Sequence, residues 1–241
     1  MRRPALSGVL AAALLVALPP AARGHLLPSG ATSLLGMMAA ADGMLVARAA
    51  AATHERDAKL AATPFLARET IAGAAPSGGF VLEQKAPILR YAEIQDALLL
   101  VARDRGSAEG ARWVSVQPAG AGIVLDKPKI EERSRTVLVE LWGVAHPPAG
   151  ATPDVAAASN ALVAALALPE AKLRALAFLD LASLAEDPSH FTPLAVSRLL
   201  RYGDGPDDDA QLKDAVRELG RKIAASAAAT SAVAGTGASK P

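Results

Sequence analysis

Between residues 146 and 151 the chain changes character, and that break does most to limit what it can fold into. Before it, apolar runs are short and are separated by glycine, proline or charge: residues 44–50, 61–71 ending at Gly73, 80–84, 97–102, 113–116 and 122–125. Short apolar runs bounded by turn residues read as strands. The run 97–102 is continuous between Asp96 and Arg103, the pattern of a strand buried on both faces. Residues 34–41 predict a short helix ahead of these strands, capped by Thr32 or Ser33 and interrupted by Asp42-Gly43.

After the break, helix-start signals repeat. Thr152-Pro153-Asp154 offers an N-cap, a proline at the first helical position and an acid near the positive end of the helix dipole, and predicts a helix to about Ala167. Pro169 starts the next, with Leu173, Leu176, Ala177, Asp180 and Leu184 at three- and four-residue steps and a stop by Pro188. Thr192-Pro193 starts a third, ended by Gly203. Asp208 with Gln211 reads as a capping box for a helix over about 209–223, striped by Leu212, Ala215, Val216, Leu219 and Ile223. The tail, 226–241, is nearly all Ala, Ser, Thr and Gly, which predicts disorder. Residues 130–143 satisfy both periods: Val137, Val139 and Leu141 alternate as in a strand, while Ile130, Val137, Leu138 and Leu141 share a helical face. The β-branched residues and Gly143 favour the strand.

The expected class is therefore α+β, with a β-rich, barrel-like domain over 25–145 and an α-helical domain over 152–225. Alanine fills 57 of the 241 positions and aromatics only 3%, so the helices must pack closely on small side chains.

Residues 1–24 carry the features of a secretory signal: Arg2-Arg3, an apolar run over 9–18, Pro19-Pro20, and Ala22-Arg23-Gly24 before His25. The apolar run is half the roughly 20 residues needed to span a bilayer. No later segment reaches that length without charge or proline, so the mature chain is expected to carry no membrane span. Removing Arg2, Arg3 and Arg23 takes the formal charge from +1 to about −2. Neither half is strongly basic, which argues against nucleic acid as partner. Cysteine is absent, which excludes disulfides, thiol nucleophiles, thiolate metal sites and a lipid-modified N-terminal cysteine. The bias towards alanine, arginine, glycine and proline matches a GC-rich bacterial genome, and with the signal it points to the periplasm or exterior.

Two resemblances follow from particular segments. Pro169-Glu170-Ala171-Lys172-Leu173-Arg174-Ala175-Leu176, then Phe191-Thr192-Pro193-Leu194-Ala195 and Gln211-Leu212-Lys213-Asp214-Ala215-Val216, resemble the paired helices of HEAT-type repeats, at about one and a half repeats. Ala41-Asp42-Gly43-Met44-Leu45-Val46-Ala47-Arg48, the 65–73 stretch and Ala97-Leu98-Leu99-Leu100-Val101-Ala102 are similar to the strand order of small OB-like barrels in secreted bacterial proteins, some distantly like metalloproteinase inhibitors. Those inhibitors carry an N-terminal cysteine and disulfides, all absent here, so inhibition is not implied. The resemblances speak to fold rather than function.

Few residues invite chemistry. Asp204, Asp207, Asp208 and Asp209 cluster around Gly205-Pro206, but the glycine and glutamate of a calcium loop are missing, and helix capping accounts for three of the four acids. His25, His54, His146 and His190 are too scattered for a metal site, and His54-Glu55 lacks the second histidine of a zinc-protease helix. There is no Gly-x-Ser-x-Gly elbow and no serine three positions before a lysine. Gly120-Ala121-Gly122 is only a fragment of a dinucleotide fingerprint, and no Gly-Lys-Ser/Thr phosphate loop occurs. Trp113 and Trp142 read as core residues before ligand platforms. No catalytic, cofactor-binding or metal residue is assigned. The expected function is an exported binding or structural module for another exported or envelope protein. The alternative is a periplasmic hydrolase pairing His54 or His146 with Asp57 or Glu140.

Overall fold

In a computed structural model of the protein, residues 33–50, 61–84, 96–104, 112–117, 123–125, 129–202 and 209–236 are described. Six strands form in the first half: Gly43–Ala49 (β1), Ala61–Gly73 (β2), Gly79–Gln84 (β3), Asp96–Asp104 (β4), Arg112–Ser115 (β5) and Ile123–Val124 (β6). Their order is β1-β2-β3-β5-β4-β6, and β4 also pairs with β1, so five strands close into a mixed barrel. Every pairing is antiparallel except β3 with β5.

The register of β1 on β4 explains why both read as unbroken apolar runs. Leu45 faces Leu99 and Ala47 faces Ala97, and these residues join Phe65, Leu82, Val101 and Trp113 inside the barrel. Their neighbours, Met44 opposite Leu100 and Val46 opposite Leu98, point the other way into a second core shared with the helices. A strand with two buried faces has no polar positions to alternate with. The other edge of β4 is satisfied piecewise. Beyond its pairs with β5, Leu100 N donates to Gln117 Oε1 at 3.2 Å, Gln117 Nε2 donates to Leu98 O at 3.4 Å, and β6 pairs with Ala97 and Leu98. The buried Gln117 side chain thus stands in for strand backbone.

Six helices share a core with the outer face of β1 and β4: Leu34–Ala40 (α1), Glu132–Ala145 (α2), Val155–Ala165 (α3), Ala171–Leu184 (α4), Pro193–Tyr202 (α5) and Ala210–Thr236 (α6), with a 3-10 turn at Pro188–His190; α1 and α2 pack on the barrel and the later helices pack on them and on one another. Four of the six start on side chains accepting from otherwise unpaired N–H groups: Ser33 from Gly36 N at 3.0 Å, Asp154 from Ala157 N at 2.9 Å, Thr192 from Ala195 N at 3.1 Å and Asp209 from Leu212 N at 3.0 Å. The shared core runs from Leu34, Leu35, Met37 and Met38 through Leu138, Leu141, Leu162 and Leu181 to Leu199, Val216 and Ile223. It is continuous across residues 146–151.

One junction leaves no room for a side chain. Gly73, at the end of β2, has φ +67°, and a Cβ there would sit 2.4 Å from Asp42 O and 2.5 Å from Trp142 Cζ2. The indole of Trp142 on α2 therefore lies directly on the barrel backbone.

Two expectations are corrected. Residues 132–145 form a helix, not a strand, so the stretch 25–145 is not β-rich throughout. The five-stranded barrel is already closed, which leaves no ladder for a further strand at this place. The helical stripe Val137, Leu138, Leu141 and Ala145 is buried instead, while Val139 is 45% exposed. Helix α6 also continues to Thr236, well past Ile223 and into the tail expected to be disordered. Its extension is rich in alanine, the residue most favourable to helix; residues 237–241 lie outside the described ones.

The corrected assignment has a direct check in equilibrium urea unfolding. Leu138→Ala, at a fully buried position, should cost roughly 2 to 5 kcal/mol, whereas Val139→Ala should change stability by about 0.5 kcal/mol or less. A strand would put Val139 on the same face as Val137 and Leu141 and make Val139→Ala as costly as Val137→Ala.

Candidate functional site

The hydrolase alternative depends on two histidines and two carboxylates. His54 and Asp57 lie outside the described residues, as do His25, Asp204, Asp207, Asp208 and the Gly120-Ala121-Gly122 fragment. His146 follows the last residue of α2. Its ring stacks on Trp142 with centroids 4.0 Å apart, its Nδ1 lies 3.2 Å from Trp142 O, and its Nε2 lies 3.2 Å from Ala41 O. Both ring nitrogens face carbonyl acceptors, so neither is turned towards a substrate as a base. The side chain works as a clip between the end of α2 and the residue that ends α1.

Glu140 lines a cleft of about 600 Å³ with Arg198, Asp154, Asn160 and apolar Val144 and Pro148. Among the described residues no histidine lines it, and His146 lies outside its lining. His190 sits in the 3-10 turn, with Nδ1 3.2 Å from Leu184 O and Nε2 3.6 Å from Asp187 Oδ2. Asp187 accepts from Ser189, which with His190 holds its carboxyl below the usual range. This is turn capping. Asp209, from the acidic cluster, caps α6. Among the described residues no three His, Cys, Asp or Glu side chains converge as a metal site.

A larger cleft of about 960 Å³ separates the β1–β2 side of the barrel from the start of α2. Arg48, Arg68, Lys129 and Arg135 line it, against Glu69, Glu131 and Glu132. Arg48 Nε donates to the buried Asp96 at 3.0 Å, Arg68 Nε is 4.0 Å from the same carboxylate, and Arg135 pairs with Glu69 across the junction and with Glu132 at 3.8 Å. Among the described residues four cations meet four acids, and the Arg135–Glu69 pair ties the barrel to α2.

A further concavity in the helical layer is apolar. Between α5 and α6 a groove of about 510 Å³ is lined by Phe191, Val196, Leu200, Ile223 and Ala227, with Arg201 at its edge. Gly220 brings the two helices together: a Cβ there would stand 3.1 Å from Leu199 Cβ and 3.2 Å from Leu200 N. Leu200 is 37% and Leu194 53% exposed. Among the described residues no helix is long and apolar enough to cross a membrane.

Sequence reasoning placed Asp180 on the buried stripe of α4 without giving it a role. In the structure it is 1% exposed and caps a different helix: Leu35 N donates to its Oδ2 at 2.8 Å, and Ser33 and Leu34 N add further hydrogen bonds. A lone acid among Leu173, Leu176, Ala177 and Leu184 was the only available clue. Burial outweighs these donors and pushes its pKa up to about 6.

No protein-family model matches the chain, and no curated protein and no solved structure is detectably similar to it.

The raised pKa of Asp180 sets a pH dependence. A carboxyl whose folded pKa lies above its unfolded value of 3.8 favours the fold most when protonated in both states. Its contribution is complete below about pH 4 and is lost as pH rises through about 6. Relative to the non-titrating Asp180→Asn variant, the wild type should therefore gain about 2 to 3 kcal/mol on acidification from about pH 7 to about pH 4. Denaturant unfolding of both proteins across that range measures it. A constant difference would show that Asp180 does not titrate between the two states.

Proposed function

We propose that the chain is an exported, non-catalytic binding module whose target is an apolar helical face of another exported or envelope protein. The observation that carries this reading is the groove between α5 and α6, with Phe191, Val196, Leu200 and Ile223 along it and Leu200 partly exposed to solvent. A groove between two helices with an apolar floor suits an amphipathic helix laid into it. Arg201 at the rim favours a partner helix with acidic flanks. Export rests on the arginine pair, apolar run and small-residue pattern of residues 1–24, which lie outside the described residues.

The architecture is read as an OB-like barrel carrying HEAT-like helical pairs. The order β1-β2-β3-β5-β4 with β4 returning to β1, and a single parallel pair, supports the first as a five-stranded Greek-key barrel. Packing of α3 on α4 and of α5 on α6 supports the second. No observation favours the hydrolase: His146 and His190 are held by carbonyl oxygens, and Glu140 shares its cleft with no described histidine.

A photo-crosslinking residue in place of Ser197, at the groove, should yield one discrete protein adduct when the chain is expressed in its own cell. Leu200→Glu should remove that adduct while moving the thermal midpoint by no more than a few degrees, because Leu200 is partly exposed. An adduct that survives Leu200→Glu would dismiss the groove as the docking surface. Loss of a measurable hydrolytic activity in a folded His146→Ala variant would replace the binding reading with the enzymatic one.

A further inference from the structure

The barrel carries a second concavity, on the rim formed by β3, β4 and β5, that is independent of the helical groove. In the β4–β5 register Arg103 stands opposite Trp113, and its guanidinium carbon lies 5.2 Å from the indole centroid. Arg103 N donates to Asp42 Oδ2 at 2.7 Å, which fixes the backbone beneath this side chain. Trp113 is itself anchored in the barrel interior, so the indole is a rigid floor. Among the described residues no carboxylate pairs with the Arg103 guanidinium. Beside it, Arg112 Nη1 lies 3.3 Å from Glu83 Oε1. The concavity measures about 630 Å³, and Phe80 and Val81 supply its apolar wall. Phe80 is held by stacking on Phe65, with centroids 5.8 Å apart, and Val81 is 52% exposed.

We propose that this rim binds a small monocarboxylate with an apolar or aromatic body. A guanidinium seated on an indole interacts with the ring through its charge and keeps its N–H donors for an anion, and those donors match a carboxylate in fork geometry. Among the described residues that line the rim, Arg112 meets Glu83 while the Arg103 guanidinium meets no carboxylate, so one carboxylate on the ligand would complete it. Phe80 and Val81 cover the body of the ligand, as a small-molecule pocket of this volume requires. The site needs neither the helical groove nor its partner, so either proposal can fail without the other.

The full-length mature chain is titrated with N-acetylphenylalanine, with its amide and with inorganic phosphate, following tryptophan emission; Trp113 is one of only two tryptophans, and Trp142 lies in the helical layer. The acid should give a saturable change, and the neutral amide none. Arg103→Gln should weaken binding roughly 10- to 100-fold, the usual worth of a charge-assisted hydrogen bond. Glu83→Gln retains Arg103 and removes the competing carboxylate, and should tighten binding. An equal response to the amide, an unchanged titration in R103Q, or unchanged or weaker binding in E83Q would overturn the site. Tighter binding of phosphate, or of a tetrapeptide ending in phenylalanine, would overturn the assignment to a small monocarboxylate.

Discussion

The architecture depends on a pair of strands that have no solvent face over most of their length. β1 and β4 present Leu45, Ala47, Ala97 and Leu99 to the barrel interior and Met44, Val46, Leu98 and Leu100 to the helical layer, so the same ladder completes both cores. A five-stranded barrel with so few aromatics encloses little apolar volume of its own. Covering the outer face of its two central strands with helices roughly doubles what those strands bury. The helices depend on the same surface: Leu34, Leu35, Met37 and Met38 of α1 are wholly or almost wholly buried in the core that includes Met44 and Leu98.

Small side chains make the helical layer dense but give it little to grip with, and polar contacts supply the missing definition. α1 has seven residues, too short to persist alone in water. It is held by a cap at each end that comes from far along the chain. Asp180 on α4 accepts from its first N–H groups, and His146 after α2 meets Ala41 O at its end. These are the residues a search for chemistry would select first, a buried acid and an accessible histidine, and both are engaged in holding one short helix against the barrel. Glu69 and Arg135 do the same for the junction of the barrel with α2, while Arg48 and Asp96 tie β1 to β4 within the barrel.

Much of the fold was legible because local rules and tertiary demands agreed. The run 97–102 announced a doubly buried strand, and Thr192 stands at the start it predicted, whereas at α3 the cap is Asp154, two residues past the expected Thr152. At α6 the cap is Asp209 rather than Asp208, one residue along from the proposed box. Residues 132–145 were misread because Val137, Val139 and Leu141 alternate by chance on a helix that buries only two of them. What decides that segment is the closure of the barrel, a long-range fact that no window of sequence contains. The tail was misread for a different reason: low complexity suggested disorder, but alanine in continuation of an existing helix adds residues at little cost, since nucleation has already occurred.

The proposed sites were less legible than the fold, and their geometry explains why. Arg103 and Trp113 are ten positions apart and become neighbours only through the antiparallel register of β4 and β5; Phe80 arrives from a strand that β5 meets in parallel. The groove between α5 and α6 likewise follows from Gly220 letting the helices approach, and Leu200 reads in sequence as an ordinary core leucine. Fold residues repeat with the period of their element and so leave a pattern. The binding residues proposed above sit at positions that break it: a cation at the end of a buried strand, and a leucine on the wrong side of its helix. Such exceptions carry meaning only once the ladder and the helix packing are known.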